Sequence, residues 1–98
     1  MPIQIGRFSF RGPFPNLDEI KDRPGIFIIH NGDIETNPLT IKETPLLKSS
    51  ITEKLRELDV ELGQENNCFV SVYNTFCTLT LDRQEMVDEI KSLFKVEK

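Results

Sequence analysis

The sequence lacks the features that mark membrane and secreted proteins. None of the apolar runs in its 98 residues approaches the roughly 20 residues that a membrane-spanning helix needs. Residues 1–7 contain no signal-peptide hydrophobic region, and the chain has no Asn-x-Ser/Thr sequon. We therefore expect a cytoplasmic protein with no membrane partner.

Side chains that commonly hold metals or act as nucleophiles are also scarce. Cys68 and Cys77 are the only cysteines and lie nine positions apart, wider than a CxxC motif, so we interpret them as buried thiols in a reducing compartment. His30 is the only histidine, so a His-based metal site or a Ser-His-Asp triad has too few members. No glycine-rich phosphate loop is present. We expect no metal and no cofactor.

The charge that is present is acidic and unevenly distributed. The chain has 12 basic and 16 acidic side chains, and its whole net charge of −4 lies in residues 50–98. The negative net charge argues against strong electrostatic binding of nucleic acid. With 38% hydrophobic and 29% charged residues, the composition is that of a soluble globular protein. The length predicts a single domain over 1–98, with an irregular lead-in over 1–24 and a core over 25–95.

The lead-in is divided by prolines, which predicts irregular structure. Asn16 is placed to cap a single helical turn over 16–20. An alternative is a short edge strand, or a lid over the core, formed by the apolar residues of this segment: Ile3, Ile5, Phe8 and Phe10.

Three strands are predicted beyond the lead-in. Residues 26–30 are nearly all apolar, so we expect this strand, opened by Gly25, to be covered on both faces. Asn31-Gly32 is a strong hairpin signal, which predicts a second strand over 39–41. Residues 68–73 are rich in β-branched and aromatic side chains and form the third strand. Residues 76–81 extend the sheet or return across it.

Two amphipathic helices complete the predicted fold. Thr44 is the expected N-cap of the first helix, with Pro45 at its first position, and Gly63 is placed to end it. Asp82 and Glu85 form a capping box for the second helix. The fold class is therefore α+β, with a small, mostly antiparallel sheet of about three strands flanked by two helices. The apolar stripes are Leu47, Ile51, Leu55, Leu58 and Leu62 in the first helix, and Met86, Val87, Ile90, Leu93 and Phe94 in the second.

This order of elements, and several short motifs within it, resemble the GIY-YIG endonuclease domain over roughly residues 12–95. Gly25-Ile26-Phe27 stands where that family has Gly-Ile-Tyr. Thr40-Ile41-Lys42 falls at the place of Tyr-Ile-Gly. Residues 47–51 resemble the start of the family's first helix, and residues 79–85 resemble the approach to its last helix.

The resemblance implies a metal-dependent phosphodiesterase whose site has been lost. Phe27 and Thr40 replace the two tyrosines, Lys42 replaces the glycine of the second motif, and Ser50 takes the place of the arginine. Glu85 lies near the position of the metal-binding glutamate. Removing one group that stabilises developing charge typically costs a factor of about 10²–10³ in rate. We therefore expect no enzymatic activity, and Lys42 is a poor substitute for an arginine at a phosphate.

Two sets of charged residues have alternative interpretations. Glu85, Asp88 and Glu89 are either metal ligands or acids that suit a helix N-terminus, and the second interpretation is favoured. The basic side chains of the lead-in are either a phosphate-binding patch or solvated charges, and the acids Asp18, Glu19 and Asp22 among them favour the second. These basic residues are Arg7, Arg11, Lys21 and Arg23.

Two aromatic features are similarly ambiguous. Phe8, Phe10 and Phe14 are either a partner-binding patch or core, and so short a chain favours core. Tyr73 is either a catalytic phenol or packing on a strand, and packing is favoured.

Three functional hypotheses follow. The first is a non-catalytic interaction or regulatory domain that binds a protein partner, or itself, through a sheet edge or the apolar N-terminal segment. The second is a residual nuclease or nucleic-acid-binding protein using Lys42, Glu85 and the basic lead-in. The third is a small oligomeric accessory protein. The losses at Phe27, Thr40 and Ser50 favour the first.

Overall fold

The computed structural model describes residues 3–6, 8–32, 38–75 and 80–94, which form five strands and two helices. The sheet order is β1-β2-β5-β3-β4, and every neighbouring pair is antiparallel. The α+β class and both helices are thus confirmed. The elements are β1 (Ile3–Ile5), β2 (Phe8–Phe14), β3 (Gly25–Asn31), β4 (Pro38–Thr44), α1 (Leu47–Leu58), β5 (Cys68–Asn74) and α2 (Thr80–Phe94).

The prediction of about three strands is wrong, because the lead-in forms a hairpin of β1 and β2 that joins the sheet through β5. Phe8 and Phe10 are fully buried, whereas Ser9 and Arg11 between and after them are exposed. This period-two alternation stabilises a strand. Pro13 and Pro15 lie at the end of β2, where its register with β5 shifts, so they do not interrupt the earlier part of the strand. Residues 16–20 form a turn, in which the Asp18 N–H donates to Asn16 Oδ1 at 3.0 Å.

β3 lies inside the sheet and is buried on both faces, as predicted. It pairs with β4 on one side and β5 on the other, so that Phe27 stands opposite Lys42 and Val72. Side chains alternate along it: Ile26 and Ile28 belong to one core cluster, whereas Phe27 and Ile29 belong to another.

Each face of the sheet is covered by one helix. Val87 and Ile90 of α2 pack on the face that carries Ile26 and Ile28. On the opposite face, α1 contributes Leu47 and Ile51. The buried members of the α2 cluster are Ile5, Phe8, Phe10, Ile26, Ile28, Val87 and Ile90; those of the α1 cluster are Ile20, Phe27, Ile29, Leu47, Ile51, Cys68, Val70 and Val72.

α1 is shorter at both ends than predicted. Its N-cap position is Leu46, because the Thr44 hydroxyl accepts the Leu46 N–H at 3.1 Å in the turn that precedes the helix. Asp59, not Gly63, ends it in the left-handed conformation, with its N–H donating to Arg56 O at 3.2 Å. Only the first part of the apolar stripe is therefore a helical core face, and Leu58 is exposed.

α2 begins before its predicted start. Thr80 is its first residue, so Asp82 lies within the helix and is not its N-cap. Met86, Val87 and Ile90 pack on the core as the periodicity predicts, whereas Leu93 is 47% exposed. The sheet extension predicted over 76–81 is wrong for residues 80–81, which belong to α2; residues 76–79, Cys77 included, lie outside the described residues, as does the side chain of Phe94.

The buried position of Phe10 predicts that the N-terminal hairpin is part of the folding unit. Phe10→Ala should lower the free energy of unfolding by about 3–5 kcal/mol, because the cavity adds to the lost apolar burial. Phe14 is only partly buried, so Phe14→Ala serves as the control and should cost clearly less. Urea unfolding measures both; a change near zero for Phe10→Ala would show that the hairpin is not part of the core.

Candidate functional site

The five positions at which the GIY-YIG resemblance places site residues do not all lie together in the structure. Phe27, Thr40 and Lys42 share the α1 face of the sheet, because Phe27 is the register partner of Lys42, and Thr40 lies two residues along the same strand. Ser50 lies in α1, where its hydroxyl is hydrogen-bonded to the hydroxyl of Thr44. Glu85 is exposed on α2, which packs on the opposite face. The sheet therefore separates the carboxylate from the other four positions.

Phe27 is also inaccessible. Only 1% of the residue is exposed, and its ring packs in the α1 cluster with Leu47 and Ile51. Lys42 is exposed, whereas Thr40 is half-buried. Across the part of the chain that the structure describes, no three His, Cys, Asp or Glu side chains are grouped closely enough to hold a metal ion.

The surroundings of His30 and Cys68 indicate structural roles for both side chains. His30 is buried, with Nδ1 2.9 Å from Gly32 O and Nε2 3.0 Å from Ser71 Oγ. Because a carbonyl oxygen can only accept, Nδ1 carries a proton, and in the neutral ring Nε2 then accepts from the Ser71 hydroxyl. Burial raises the pKa of the Cys68 thiol, which keeps it protonated and unreactive.

A basic pocket of about 180 Å³ lies between the start of α1, β2, β5 and the loop that precedes β3. Arg11, Lys21 and Arg23 line it, together with Glu19 and Asn74. Arg11 reaches it because β2 pairs with β5, which sets Arg11 opposite Val72 on the pocket wall. The structure thus brings together three of the four basic lead-in residues; Arg7 lies outside the described residues.

Asp22 holds the loop that carries two of these cations. Its carboxylate accepts the Ser49 backbone N–H at 2.7 Å and the Ser49 hydroxyl at 2.8 Å, so it caps the first turn of α1. The Leu47 N–H donates to Arg23 O at 3.0 Å, which anchors the same turn to the loop. The acid between Lys21 and Arg23 is therefore directed at the helix. The sequence contains the Lys-Asp-Arg alternation, but it gives no signal for this long-range cap.

A second concave surface, the edge groove, lies between β4 and α2 and has a volume of about 300 Å³. Its helix side is formed by one face of α2, and its floor includes the apolar residues Ile41 and Val87. The sequence shows that the α2 residues of this groove are spaced by three or four positions and so share one helix face. It does not show that this face lies beside a strand. The lining residues are Ile41, Lys42, Glu43, Gln84, Val87, Asp88 and Lys91; Lys42 borders the groove as part of the edge strand, although its register places its side chain on the α1 face.

A third and larger cavity, of about 590 Å³, opens beside the C-terminal end of α1. Leu39, Leu55 and Val60 give it apolar walls, while Arg56 and Asp59 place both signs of charge on it. This mixture points to no particular ligand chemistry.

Comparison with protein-family models, with curated proteins and with solved structures finds no match for this chain. None of the helices in the described segments is both long and apolar enough to cross a membrane.

The Asp22 cap predicts a specific pH dependence of stability. Hydrogen bonds from the Ser49 N–H and hydroxyl hold the pKa of Asp22 below its ordinary value of 3.8. A carboxyl whose pKa is lowered by folding stabilises the fold above that ordinary value and loses its contribution as the pH falls through the lower, folded-state pKa. Asp22→Ala should therefore lower the midpoint of thermal unfolding at neutral pH and flatten its fall below pH 3.8.

Ser49→Ala is the matched variant for this prediction. It removes the hydroxyl donor and keeps the backbone N–H, so it should produce a smaller change in the same direction. Unfolding profiles of Asp22→Ala and the unmodified protein that run parallel from neutral to acidic pH would contradict the assignment.

Proposed function

We propose that this protein is a non-catalytic interaction domain that holds an extended segment of a partner protein along β4, in the edge groove. The observation that carries the proposal is the combination of an edge strand and an adjoining groove. β4 is seven residues long and, among the described strands, pairs only with β3. The edge groove runs beside it, with α2 on the far side.

The backbone of an edge strand supplies the binding groups. Its outward N–H and C=O groups can pair with an added strand, and pockets for alternate side chains supply specificity. In the edge groove, Ile41 and Val87 offer an apolar floor for one such side chain. Gln84, Asp88 and Lys91 line the helix side with polar groups that suit the flanking positions.

Features of β4 favour a different protein over a second copy of this chain. Pro38 removes one backbone donor at the start of the strand, and Lys42 is an exposed charge in its second half. Prolines and lysines oppose pairing at an edge, and two copies joined along β4 would each contribute both residues, whereas a different partner strand need contribute neither. The other edge strand, β1, has only three residues and offers little backbone. The alternative surface, the apolar N-terminal segment, is supported less, since Phe8 and Phe10 are interior.

The proposal includes a scaffold related to the GIY-YIG domain whose nuclease site has been lost. The β3–β4 hairpin, α1, β5 and α2 follow each other in the order on which the resemblance rests, which supports it. The burial of Phe27 supports the loss of the site, because that position is filled by core packing. A cytoplasmic location is also part of the proposal, supported by the free, buried thiol of Cys68.

A residual nuclease or nucleic-acid-binding role is the second candidate. The grouping of Arg11, Lys21 and Arg23 in one pocket favours it. The separation of Glu85 from Lys42 by the sheet weighs against hydrolysis, and the net charge of −4 weighs against binding a long polyanion.

Peptides selected from a random-sequence library on the immobilised protein test the edge groove. A groove-filling Gln84→Trp variant should weaken their binding at least about tenfold, equivalent to about 1.4 kcal/mol. Ser92→Trp places the same side chain elsewhere on the exposed surface of α2 and should leave binding unchanged. Bound peptide should also protect amides of β4 from hydrogen exchange. Equal binding to both variants, or failure to select any peptide, would contradict the proposal.

Loss of catalysis is tested separately by a plasmid-nicking assay with Mg²⁺ or Mn²⁺. We expect no cleavage above a protein-free control. Cleavage that is present in the unmodified protein and disappears in Glu85→Ala would overturn the non-catalytic assignment and favour the residual nuclease.

A further inference from the structure

We propose that the basic pocket binds the terminal phosphate of a phosphomonoester. This inference concerns a different surface from the edge groove and does not depend on it. The pocket is small, about 180 Å³, and is lined by three cationic side chains, Arg11, Lys21 and Arg23, and one carboxylate, Glu19. Its formal charge is therefore +2, in a chain whose net charge is −4.

The cations of the basic pocket are not neutralised by neighbouring acids. Within the described segments, Arg11, Lys21 and Arg23 form no ion pair; the pair found there is Lys54–Glu57. Asp22, the acid between two of them in sequence, is directed at Ser49. Asp22 keeps its charge but is not part of the pocket lining, and Arg11 also lies over the Phe14 ring, 5.7 Å from its centroid. The three cations of the lining are therefore available to an external anion.

The walls of the basic pocket strengthen this attraction. Ile20, Leu47 and Val72 line it and are at most 4% exposed, so apolar material lies behind the charged groups. Charge interactions are stronger beside such a surface than in open water. Asn74 adds an amide that can donate a hydrogen bond to an oxyanion.

The charge and the size of the pocket select the class of anion. A phosphomonoester carries about −1.5 to −2 at pH 7, which matches the +2 of the pocket. A phosphodiester carries a single charge per group, and a long polyanion would meet the negative remainder of the chain. A volume of about 180 Å³ accommodates a phosphate group but is below the roughly 300 Å³ of typical ligand cavities. The recognised element is therefore the phosphate end of the ligand.

The basic pocket is also fixed before a ligand arrives. Ile20 anchors the loop in the core, the Arg23 carbonyl accepts the Leu47 N–H, and Asp22 caps α1. Lys21 and Arg23 flank Asp22, the capping residue, so the backbone that carries both cations is held against α1. Pre-organisation of this kind reduces the entropy lost on binding.

Titration with inorganic phosphate and with O-phosphoserine, followed by amide NMR shifts, tests the proposal. Shifts should centre on Lys21–Arg23 and Asn74. Arg23→Gln should weaken binding of both probes at least about tenfold, as expected for a lost hydrogen bond to a charged group. Lys91→Gln removes the same charge from the edge groove, on the α2 side of the sheet, and should leave the affinity unchanged.

Glu19→Gln gives a gain of function that a folding defect cannot produce. Removing the only acid of the basic pocket should tighten phosphate binding about threefold. Binding of O-phosphoserine should also weaken as the pH falls below about 6, where the dianion takes up a proton, whereas sulfate binding should change less.

Several outcomes would overturn the assignment. Equal losses in Arg23→Gln and Lys91→Gln would indicate non-specific charge attraction. Unchanged or weaker phosphate binding in Glu19→Gln would show that the pocket is not the site. Duplex DNA that binds more tightly than O-phosphoserine, with a steep salt dependence, would replace the phosphomonoester with a nucleic-acid backbone. Absence of any shift at millimolar phosphate would exclude the site altogether.

Discussion

Burial of β3 on both faces is the constraint on which the rest of this structure depends. Its side chains Ile26 and Ile28 require one apolar cover, and Phe27 and Ile29 require another. A strand buried in this way needs hydrogen-bonded neighbours at both edges and a packed layer on each face. β4 and β5 supply the neighbours, while α1 and α2 supply the layers. Of these two neighbours, β5 also pairs with β2, whereas β4 pairs only with β3 among the described strands, so β4 forms one edge of the sheet and the edge groove lies beside it.

The contact between Asp22 and Ser49 is a second constraint, which fixes the loop that precedes β3 against the start of α1. Helix N-termini leave backbone N–H groups without intrahelical partners, and here a residue 27 positions earlier supplies the acceptor. One contact therefore stabilises α1, orders the loop and leaves Asp22 outside the lining of the basic pocket. The lining then has three cationic side chains and one carboxylate, Glu19. The edge groove and the basic pocket thus arise from two separate structural needs, the cover of β3 and the cap of α1.

Much of the local structure was predictable because it depends on short-range patterns. The apolar run of 26–30, the Asn31-Gly32 hairpin signal and the stripe beginning at Leu47 each specify an element through periodicity or turn chemistry, and each element is present. The prolines of residues 1–24 predict irregular structure, but Phe8 and Phe10 alternate with polar residues as a strand requires, and the hairpin of β1 and β2 forms. The predicted helix ends are wrong: α1 has its N-cap position at Leu46 and its C-cap at Asp59, and α2 begins at Thr80. Residue preference alone does not fix such bounds.

Residue periodicity alone specifies the α+β class, the apolar strand over 26–30 and the apolar faces of both helices. Which residues meet depends on the tertiary structure. It placed Glu85 on the face opposite Lys42, put Phe27 in the core, and gathered Arg11 with Lys21 and Arg23. Those outcomes depend on strand order and on one long-range cap. Neither leaves a local trace in the sequence, because both are set by the packing of segments that are far apart along the chain.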